Sequence, residues 1–284
     1  MKLLGKIALV VVVLVVGAGG YFAWTVSVKD LPAGTYVSTA DIAVFPTLYG
    51  FAVNPVLQTD KPGMIFMAGA FVAADAYLPF ARNLAEAGYP VRLIGLELGT
   101  SMAPGQQPRL FGTLESIMDG AREWVVGGHS LGSAQATDFA ASHADAIAGL
   151  FITGSGYPYN DVSMLTSPVT LVRATNDDVA NRNPDRDRAG NLPVDAVIST
   201  IEGGNHAQFG FYGPQIMDGT ASITRAEQQE QMVAAALALM ARVDGGAQLA
   251  ERNAPITDSR VIPARFATLN TDTARAPWAV QQES

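Results

Sequence analysis

The sequence has no cysteine, and its 284 residues include only three histidines, His129, His143 and His206. Without cysteine the chain has no disulfide, no thiolate zinc site and no cysteine nucleophile. A mechanism that needs an imidazole as a proton acceptor must therefore use one of these three positions.

Charge is also scarce. Only 15% of the residues are charged, 49% are apolar, and the formal net charge is −8. The apolar content predicts a sizeable buried core, and the length allows one large domain or two small ones. A negative chain lacks the basic patch that a nucleic-acid surface needs, so we expect no nucleic-acid partner.

A long uncharged run lies near the N-terminus. Residues 7–24 carry no charge, Lys2 and Lys6 precede them, and three aromatic residues cluster at the far end. This pattern predicts that residues 1–28 form a single-pass membrane anchor, with the domain outside the cytoplasm at a bacterial cell membrane. The alternative is a secretory signal peptide cleaved near the small residues 17–20.

Beyond residue 35, short apolar runs alternate with segments of helical periodicity. The predicted strands are residues 35–38, 49–53, 64–68, 91–96, 124–127, 146–153, 169–174 and 196–201. The predicted helices are residues 74–87, 110–123, 131–142 and 224–243. This alternation predicts an α/β fold with a mostly parallel central sheet and helices on both faces.

One domain accounts for that pattern. We place it at residues 29–245, with no insertion long enough for a large cap over the site. Residues 246–284 are polar with scattered prolines and form a predicted C-terminal extension.

A G-x-S-x-G pattern, Gly128-His129-Ser130-Leu131-Gly132, lies between a predicted strand and a predicted helix. This is the setting of a nucleophile elbow, in which a serine occupies a sharp turn and the two glycines allow close backbone approach. In a chain with 28 glycines the five letters alone could also be a chance turn. The elbow interpretation therefore needs a base and an acid later in the chain.

His206 is the predicted base, because it lies in a loop just after the last predicted strand. His129 adjoins Ser130, so its side chain should point away from the serine. His143 comes at the far end of the helix that follows the elbow, roughly 20 Å away at helical rise.

The acid should follow the preceding strand. Asp177 is the predicted choice, three residues beyond the last apolar position of the strand, with Asp178 as the alternative and Asp161 as a weaker candidate. The oxyanion of an acyl-transfer intermediate also needs donors. We expect the backbone N–H of Leu131 and that of Ala70, with Phe71 as the alternative to Ala70.

Four motifs together resemble the alpha/beta-hydrolase superfamily, and more narrowly its bacterial fold-5 group. They are the run from Met67 to Tyr77, the Gly-Gly-His-Ser-Leu-Gly elbow, the Ala-Thr-Asn-Asp turn, and the Gly-Gly-Asn-His-Ala-Gln-Phe-Gly segment at residues 203–210. The resemblance covers about residues 35–243 and implies a triad of Ser130, Asp177 and His206. One departure is Ala68, where many relatives have proline or histidine before the glycine.

These residues predict a serine hydrolase that cleaves a carboxylic ester, or a related acyl compound, through an acyl-enzyme. The substrate would be a small-molecule or lipid-like acyl compound, and neither a metal nor an organic cofactor is implied. The alternatives are an acyltransferase that uses the same triad, or a non-catalytic envelope protein that retains the fold.

Overall fold

The protein is described here by a computed structural model, which covers residues 17, 19–96, 107–120, 122–181 and 186–245. Within these residues, eight strands form one sheet. The strands are β1 (Ile42–Thr47), β2 (Gly50–Pro55), β3 (Gly63–Met67), β4 (Val91–Ile94), β5 (Trp124–His129), β6 (Gly149–Thr153), β7 (Val169–Ala174) and β8 (Val197–Ile201). The longer helices are α1 (Leu78–Glu86), α2 (Gln107–Met118), α3 (Leu131–Ser142) and α4 (Arg225–Asp244).

The sheet is mostly parallel. Its strand order is β1-β2-β4-β3-β5-β6-β7-β8, and β2 runs antiparallel to both of its neighbours while the other pairs are parallel. The carboxyl ends of the parallel strands β3 to β8 therefore lie along one edge of the sheet. The predicted fold class is confirmed.

Helices cover both faces of the sheet. Successive residues of a strand point to opposite faces, so Phe66 and Ile65 of β3 enter two separate apolar clusters. The Phe66 cluster includes residues of α1 and α4, and the Ile65 cluster includes residues of α2 and α3. Each fully buried phenylalanine or isoleucine contributes about 1.5–3 kcal/mol relative to exposure, so these two layers hold the sheet between the helices.

The first predicted strand, residues 35–38, is wrong. Thr35 does not pair with a neighbouring strand. Its backbone N–H and its hydroxyl both donate to the carbonyl oxygen of Pro32. The N–H of Val37 donates to the carbonyl of Gly34, which has a positive φ of 77°. These local hydrogen bonds favour a turn, and the first strand is β1, some residues further along the chain.

The other predicted elements are present with shifted ends. The largest shift is in α2, which ends at Met118 rather than near residue 123, shortly before Gly120 with its φ of 134°. The predicted capping box that opens α4 is confirmed: Thr224 and Glu227 exchange hydrogen bonds between side chain and backbone in both directions.

Most of the predicted N-terminal anchor lies outside the described residues. Residues 19–26 are helical. No helix in the described part of the chain is long and apolar enough to cross a membrane. The predicted C-terminal extension, residues 246–284, lies entirely outside the described residues. The connection from β6 to β7, residues 154–168, forms no helix.

Candidate active site

Ser130 is the single residue between β5 and α3. Its backbone has φ 54° and ψ −116°, a region that non-glycine residues rarely adopt and that costs about 1–3 kcal/mol. The surrounding structure holds it there, and its N–H donates to the carbonyl oxygen of Thr153 at 2.9 Å. The sharp turn places a half-buried serine at the carboxyl edge of the sheet.

The two glycines of the motif allow α3 to pack directly against the sheet. A Cβ on Gly132 would lie 2.1 Å from the carbonyl oxygen of Met67 and 2.6 Å from that of Ala68. A Cβ on Gly128 would lie 2.4 Å from the carbonyl carbon of Gly132. Backbone thus contacts backbone on both sides of the turn, and any larger residue at either position must displace the main chain.

His206 and Asp177 form a buried pair. They follow the neighbouring strands β8 and β7, and each is only 1% exposed. The Nδ1 atom of His206 lies 3.0 Å from both carboxylate oxygens of Asp177. Because a carboxylate accepts hydrogen bonds, this contact assigns the imidazole proton to Nδ1 and leaves Nε2 as the acceptor.

The Nε2 atom of His206 is buried, and no described residue is its hydrogen-bond partner. The imidazole of His206 contacts the ring of His129, the residue before Ser130. The two ring centroids lie 4.4 Å apart. A hydrogen bond between a nucleophile and its base is often long until substrate binds. The histidine is therefore positioned beside the elbow with its accepting nitrogen unused.

The other candidates lie elsewhere. Asp178 is exposed. Asp161 is also exposed, and its carboxylate accepts the N–H of Ser163 at 2.9 Å. His143 follows the last residue of α3 and pairs through Nε2 with Glu115 at 3.2 Å. Of the three histidines, only His206 contacts a buried carboxylate in the described residues.

The predicted oxyanion donors follow neighbouring strands. Met67 at the end of β3 pairs in register with Gly128 of β5, so the loop after β3 begins beside the elbow. Leu131 is the first residue of α3, where a helix N–H has no acceptor within the helix. The N–H of Ala70 forms no hydrogen bond within the described part of the chain, and Phe71 has a positive φ of 62°.

Asp218 was not found by the sequence reasoning. Its carboxylate accepts the backbone N–H of His206 at 3.1 Å and that of Ala207 at 2.8 Å. Burial raises the pKa of Asp218, and these two hydrogen bonds and His206 oppose the shift. The side chain fixes the loop that carries the histidine. Asp218 lies twelve residues beyond His206 in an irregular segment, and no periodicity or motif marks it.

His129 is the residue whose side chain we expected to point away from the serine. The ring does lie in the interior, fully buried, and its Nδ1 is 2.9 Å from the hydroxyl of Tyr77. Burial is the main cause that lowers the pKa of His129 well below its ordinary value, and the nearby His206 adds to the effect.

No group of three histidine or carboxylate side chains in the described residues could hold a metal ion. The chemistry available at this edge of the sheet is that of a hydroxyl, an imidazole, a carboxylate and backbone N–H groups.

Comparison with known proteins identifies the family of the chain. A model of the alpha/beta hydrolase family matches residues 63–230, which include every residue discussed at the site. No curated protein sequence matches the chain. The match to the family model covers more than half of the chain, which therefore belongs to the alpha/beta hydrolase family, as its motifs predict.

Solved structures share the fold at low sequence identity. A ferulic acid esterase from Streptomyces cinnamoneus has a TM-score of 0.54 at 16% identity, with 71% of this chain and 72% of that chain covered. A predicted CIB-like hydrolase from Thermoplasma acidophilum has a TM-score of 0.50 at 14% identity, covering 68% and 97%. Est1E from Butyrivibrio proteoclasticus has a TM-score of 0.50 at 12% identity, covering 71% and 100%.

Proposed function

We propose that the protein is a serine hydrolase that cleaves carboxylic esters through an acyl-enzyme on Ser130. One observation carries the proposal. His206 is a buried imidazole that is oriented by both oxygens of Asp177, has no partner for Nε2 among the described residues, and packs against the ring of His129, the residue before Ser130. A weak nucleophile such as a serine hydroxyl needs such a base.

In the first half of the reaction, His206 Nε2 takes the proton of the Ser130 hydroxyl as the oxygen attacks the ester carbonyl carbon. The tetrahedral intermediate collapses, the bond to the alkoxy group breaks, and the imidazolium gives its proton to the leaving alcohol. In the second half, His206 takes a proton from water, the hydroxide attacks the acyl carbon, and the acid departs as the proton returns to Ser130. Asp177 stabilises the imidazolium in both halves.

The backbone N–H groups of Leu131 and Ala70 would bind the negative oxygen of the intermediate. Both follow adjacent strands at the same edge of the sheet, and the Ala70 N–H has no acceptor within the described residues. Donors that are already in place cost no reorganisation when the charge develops, and one such donor is worth about 10²–10³ in kcat.

Two considerations support an ester as the substrate. The chain belongs to a hydrolase family, and the fold is shared with a ferulic acid esterase. The donor set of hydroxyl, imidazole, carboxylate and backbone N–H groups performs acyl transfer with no added metal or cofactor.

Hydrolysis of p-nitrophenyl esters of increasing acyl length tests the proposal. We expect turnover by the wild type and a loss of about 10⁶-fold in kcat for Ser130→Ala. Ser142→Ala, at the exposed far end of α3, is the control and should match the wild type. Turnover that is equal in wild type and Ser130→Ala would overturn the proposal. Product analysis with an added alcohol separates hydrolysis from acyl transfer.

Membrane attachment through residues 1–28 remains part of the proposal. Fractionation of cells with and without detergent tests it: an anchored protein requires detergent for release, whereas a chain cleaved near residues 17–20 appears in the aqueous fraction.

A further inference from the structure

A second histidine lies beside the proposed base and has no role in the mechanism above. His129 is fully buried, and its ring lies 4.4 Å from that of His206, centroid to centroid. On its other side, Nδ1 lies 2.9 Å from the hydroxyl of Tyr77. A polar ring buried between two functional groups of the site calls for an explanation in terms of its protons.

The direction of the hydrogen bonds can be assigned. The hydroxyl of Tyr77 accepts the backbone N–H of Gly69 at 3.1 Å. Tyr77 is 1% exposed, and within the described residues the other hydrogen-bond contact of its hydroxyl is with His129 Nδ1. If His129 donated to this oxygen as well, the buried tyrosine proton would have no acceptor, which costs about 1–3 kcal/mol. We therefore assign the tyrosine as the donor to Nδ1 of a neutral His129; the ring proton then lies on Nε2, which is buried and has no hydrogen-bond partner among the described residues.

The ring of His129 is also held in place sterically. A Cβ on Gly154 would lie 2.6 Å from its Cδ2 atom, and a Cβ on Gly69 would lie 3.0 Å from its Nδ1 atom. Glycine at these two positions leaves the space that the imidazole occupies. The hydrogen-bond network therefore has little freedom to rearrange. It runs from the N–H of Gly69 to the hydroxyl of Tyr77 and on to the imidazole of His129.

This hydrogen-bond network joins the loop after β3 to the nucleophile elbow. Gly69 immediately precedes Ala70 in the loop after β3, and His129 contacts His206 and immediately precedes Ser130. We propose that His129 and Tyr77 are positioning residues for the hydrolysis. Tyr77 fixes the loop that presents the Ala70 N–H, and the neutral His129 holds the ring of His206 without placing a second positive charge beside it. The inference rests on the proposed function.

The neutral form matters because His206 becomes an imidazolium during each half-reaction. A protonated His129 at this distance would repel that charge and raise the barrier. The titratable groups that face His129 are Tyr77 from the turn before α1, and His206 and Tyr212 from the loop after β8. Asp177 and Asp218 lie behind His206. The hydrogen bond from Tyr77 to Nδ1 favours the neutral imidazole.

The variant Tyr77→Phe tests the proposal, because it keeps the ring and removes only the hydroxyl. Misalignment of one oxyanion donor should lower kcat by about 10- to 100-fold, with KM for a p-nitrophenyl ester within about threefold of wild type. Without the donor to Nδ1, His129 protonates more readily, so the acidic limb of the kcat/KM profile should move to higher pH.

Tyr212→Phe is the matched control. Tyr212 is equally buried, its ring lies 6.1 Å from that of His129, and its hydroxyl donates to Gln215 rather than to the imidazole. Its pH profile should equal that of wild type. A second pair of variants tests the histidine: His129→Asn retains an acceptor near the position of Nδ1 and should keep a higher kcat than His129→Leu.

The outcomes separate this inference from the proposed function. If Ser130→Ala abolishes turnover while Tyr77→Phe matches Tyr212→Phe in kcat and in pH profile, the positioning role is wrong and the serine mechanism stands. If Ser130→Ala retains turnover, the proposed function itself is wrong. A lower kcat with a shifted acidic limb, in Tyr77→Phe alone, supports the positioning role.

Discussion

The elbow and the histidine loop meet at one edge of the sheet, but they are held in different ways. At the elbow, Gly132 brings α3 against the carbonyl oxygens at the end of β3, so backbone packs on backbone. In the histidine loop, side chains hold the backbone. Asp218 accepts the N–H groups of His206 and Ala207, and Gln228 of α4 bonds both the N–H and the carbonyl of Asn205.

This difference explains how each region responds to change. Backbone packing tolerates no added atom, so substitutions at the elbow should lower the stability of the fold. Hydrogen bonds from side chains can be removed one at a time with the sheet intact, so substitutions around His206 should lower activity more than stability.

Among the residues that support the nucleophile, the largest effect is expected from the acid of the histidine loop. Asp177→Asn leaves the side-chain shape but removes the charge and allows the wrong imidazole tautomer, so kcat should fall by roughly 10⁴-fold. Steady-state kinetics with a p-nitrophenyl ester measures it. Asp178→Asn is the matched control, exposed and adjacent in the chain, and should stay within a few-fold of wild type. A reversed order would assign the triad acid to Asp178.

The next largest effect is expected at the elbow. In Gly132→Ala the new Cβ lies 2.1 Å from the Met67 carbonyl oxygen, and overpacking of this kind costs about 1–3 kcal/mol. Thermal unfolding should show a Tm lower by several degrees. Gly112→Ala is the contrast. Nothing lies within 4 Å of a Cβ added at this exposed position of α2, so alanine should stabilise the fold by about 0.5–1 kcal/mol. Equal shifts in both variants would contradict the close packing.

Asp218→Asn should give a smaller change, confined to activity. The amide keeps one oxygen and loses an acceptor for the N–H of His206 or Ala207, so the imidazole is held less firmly and kcat should fall by about tenfold. Asp161→Asn is the control, since its carboxylate accepts one backbone N–H of its own exposed loop. If both variants have the wild-type kcat, Asp218 does not position the histidine.

The smallest effect concerns His129, an elbow residue whose ring packs against His206 of the histidine loop. Burial lowers its pKa in the folded chain, so below the ordinary value of about 6.5 the unfolded chain binds a proton that the folded chain does not. Its contribution to stability is therefore fully present above that pH and is lost as the pH falls. The slope is at most about 1.4 kcal/mol per pH unit.

Urea unfolding at pH 7.5, 6.5 and 5.5 measures this contribution (roughly one unit either side of the ordinary histidine value). Wild type should lose more unfolding free energy between these values than His129→Asn, because the carboxylates and His206 are common to both. An identical pH dependence in the two proteins would mean that His129 is not a neutral buried imidazole.

The difference between the elbow and the histidine loop also determines which parts of the site can be predicted from the sequence. The elbow is marked by two glycines at fixed spacing around Ser130, and the strands by short apolar runs, so the fold and the serine turn follow from local patterns. The prediction of a strand at residues 35–38 was wrong because local hydrogen bonds to Pro32 and Gly34 outweighed the β-branched composition. The spacing of apolar residues in the sequence does not show whether such a segment forms a turn or a strand.

The supporting residues of the site could not be predicted in the same way. Asp218 and Tyr77 lie far along the chain from Gly128-His129-Ser130, in an irregular loop and in a turn before a helix. The folded sheet brings them to the site from these distant positions. The order of Ser130, Asp177 and His206 is readable because each residue follows a strand of the parallel sheet (β5, β7 and β8), whereas a supporting side chain has no fixed distance from its target.

The most direct test of the proposed mechanism is labelling with a fluorophosphonate, followed by peptide mass mapping. The account predicts one stoichiometric adduct, on Ser130. The adduct should be absent in Ser130→Ala, slow to form in His206→Ala and unchanged in Ser142→Ala. An adduct on another residue, or undiminished labelling of Ser130→Ala, would contradict it.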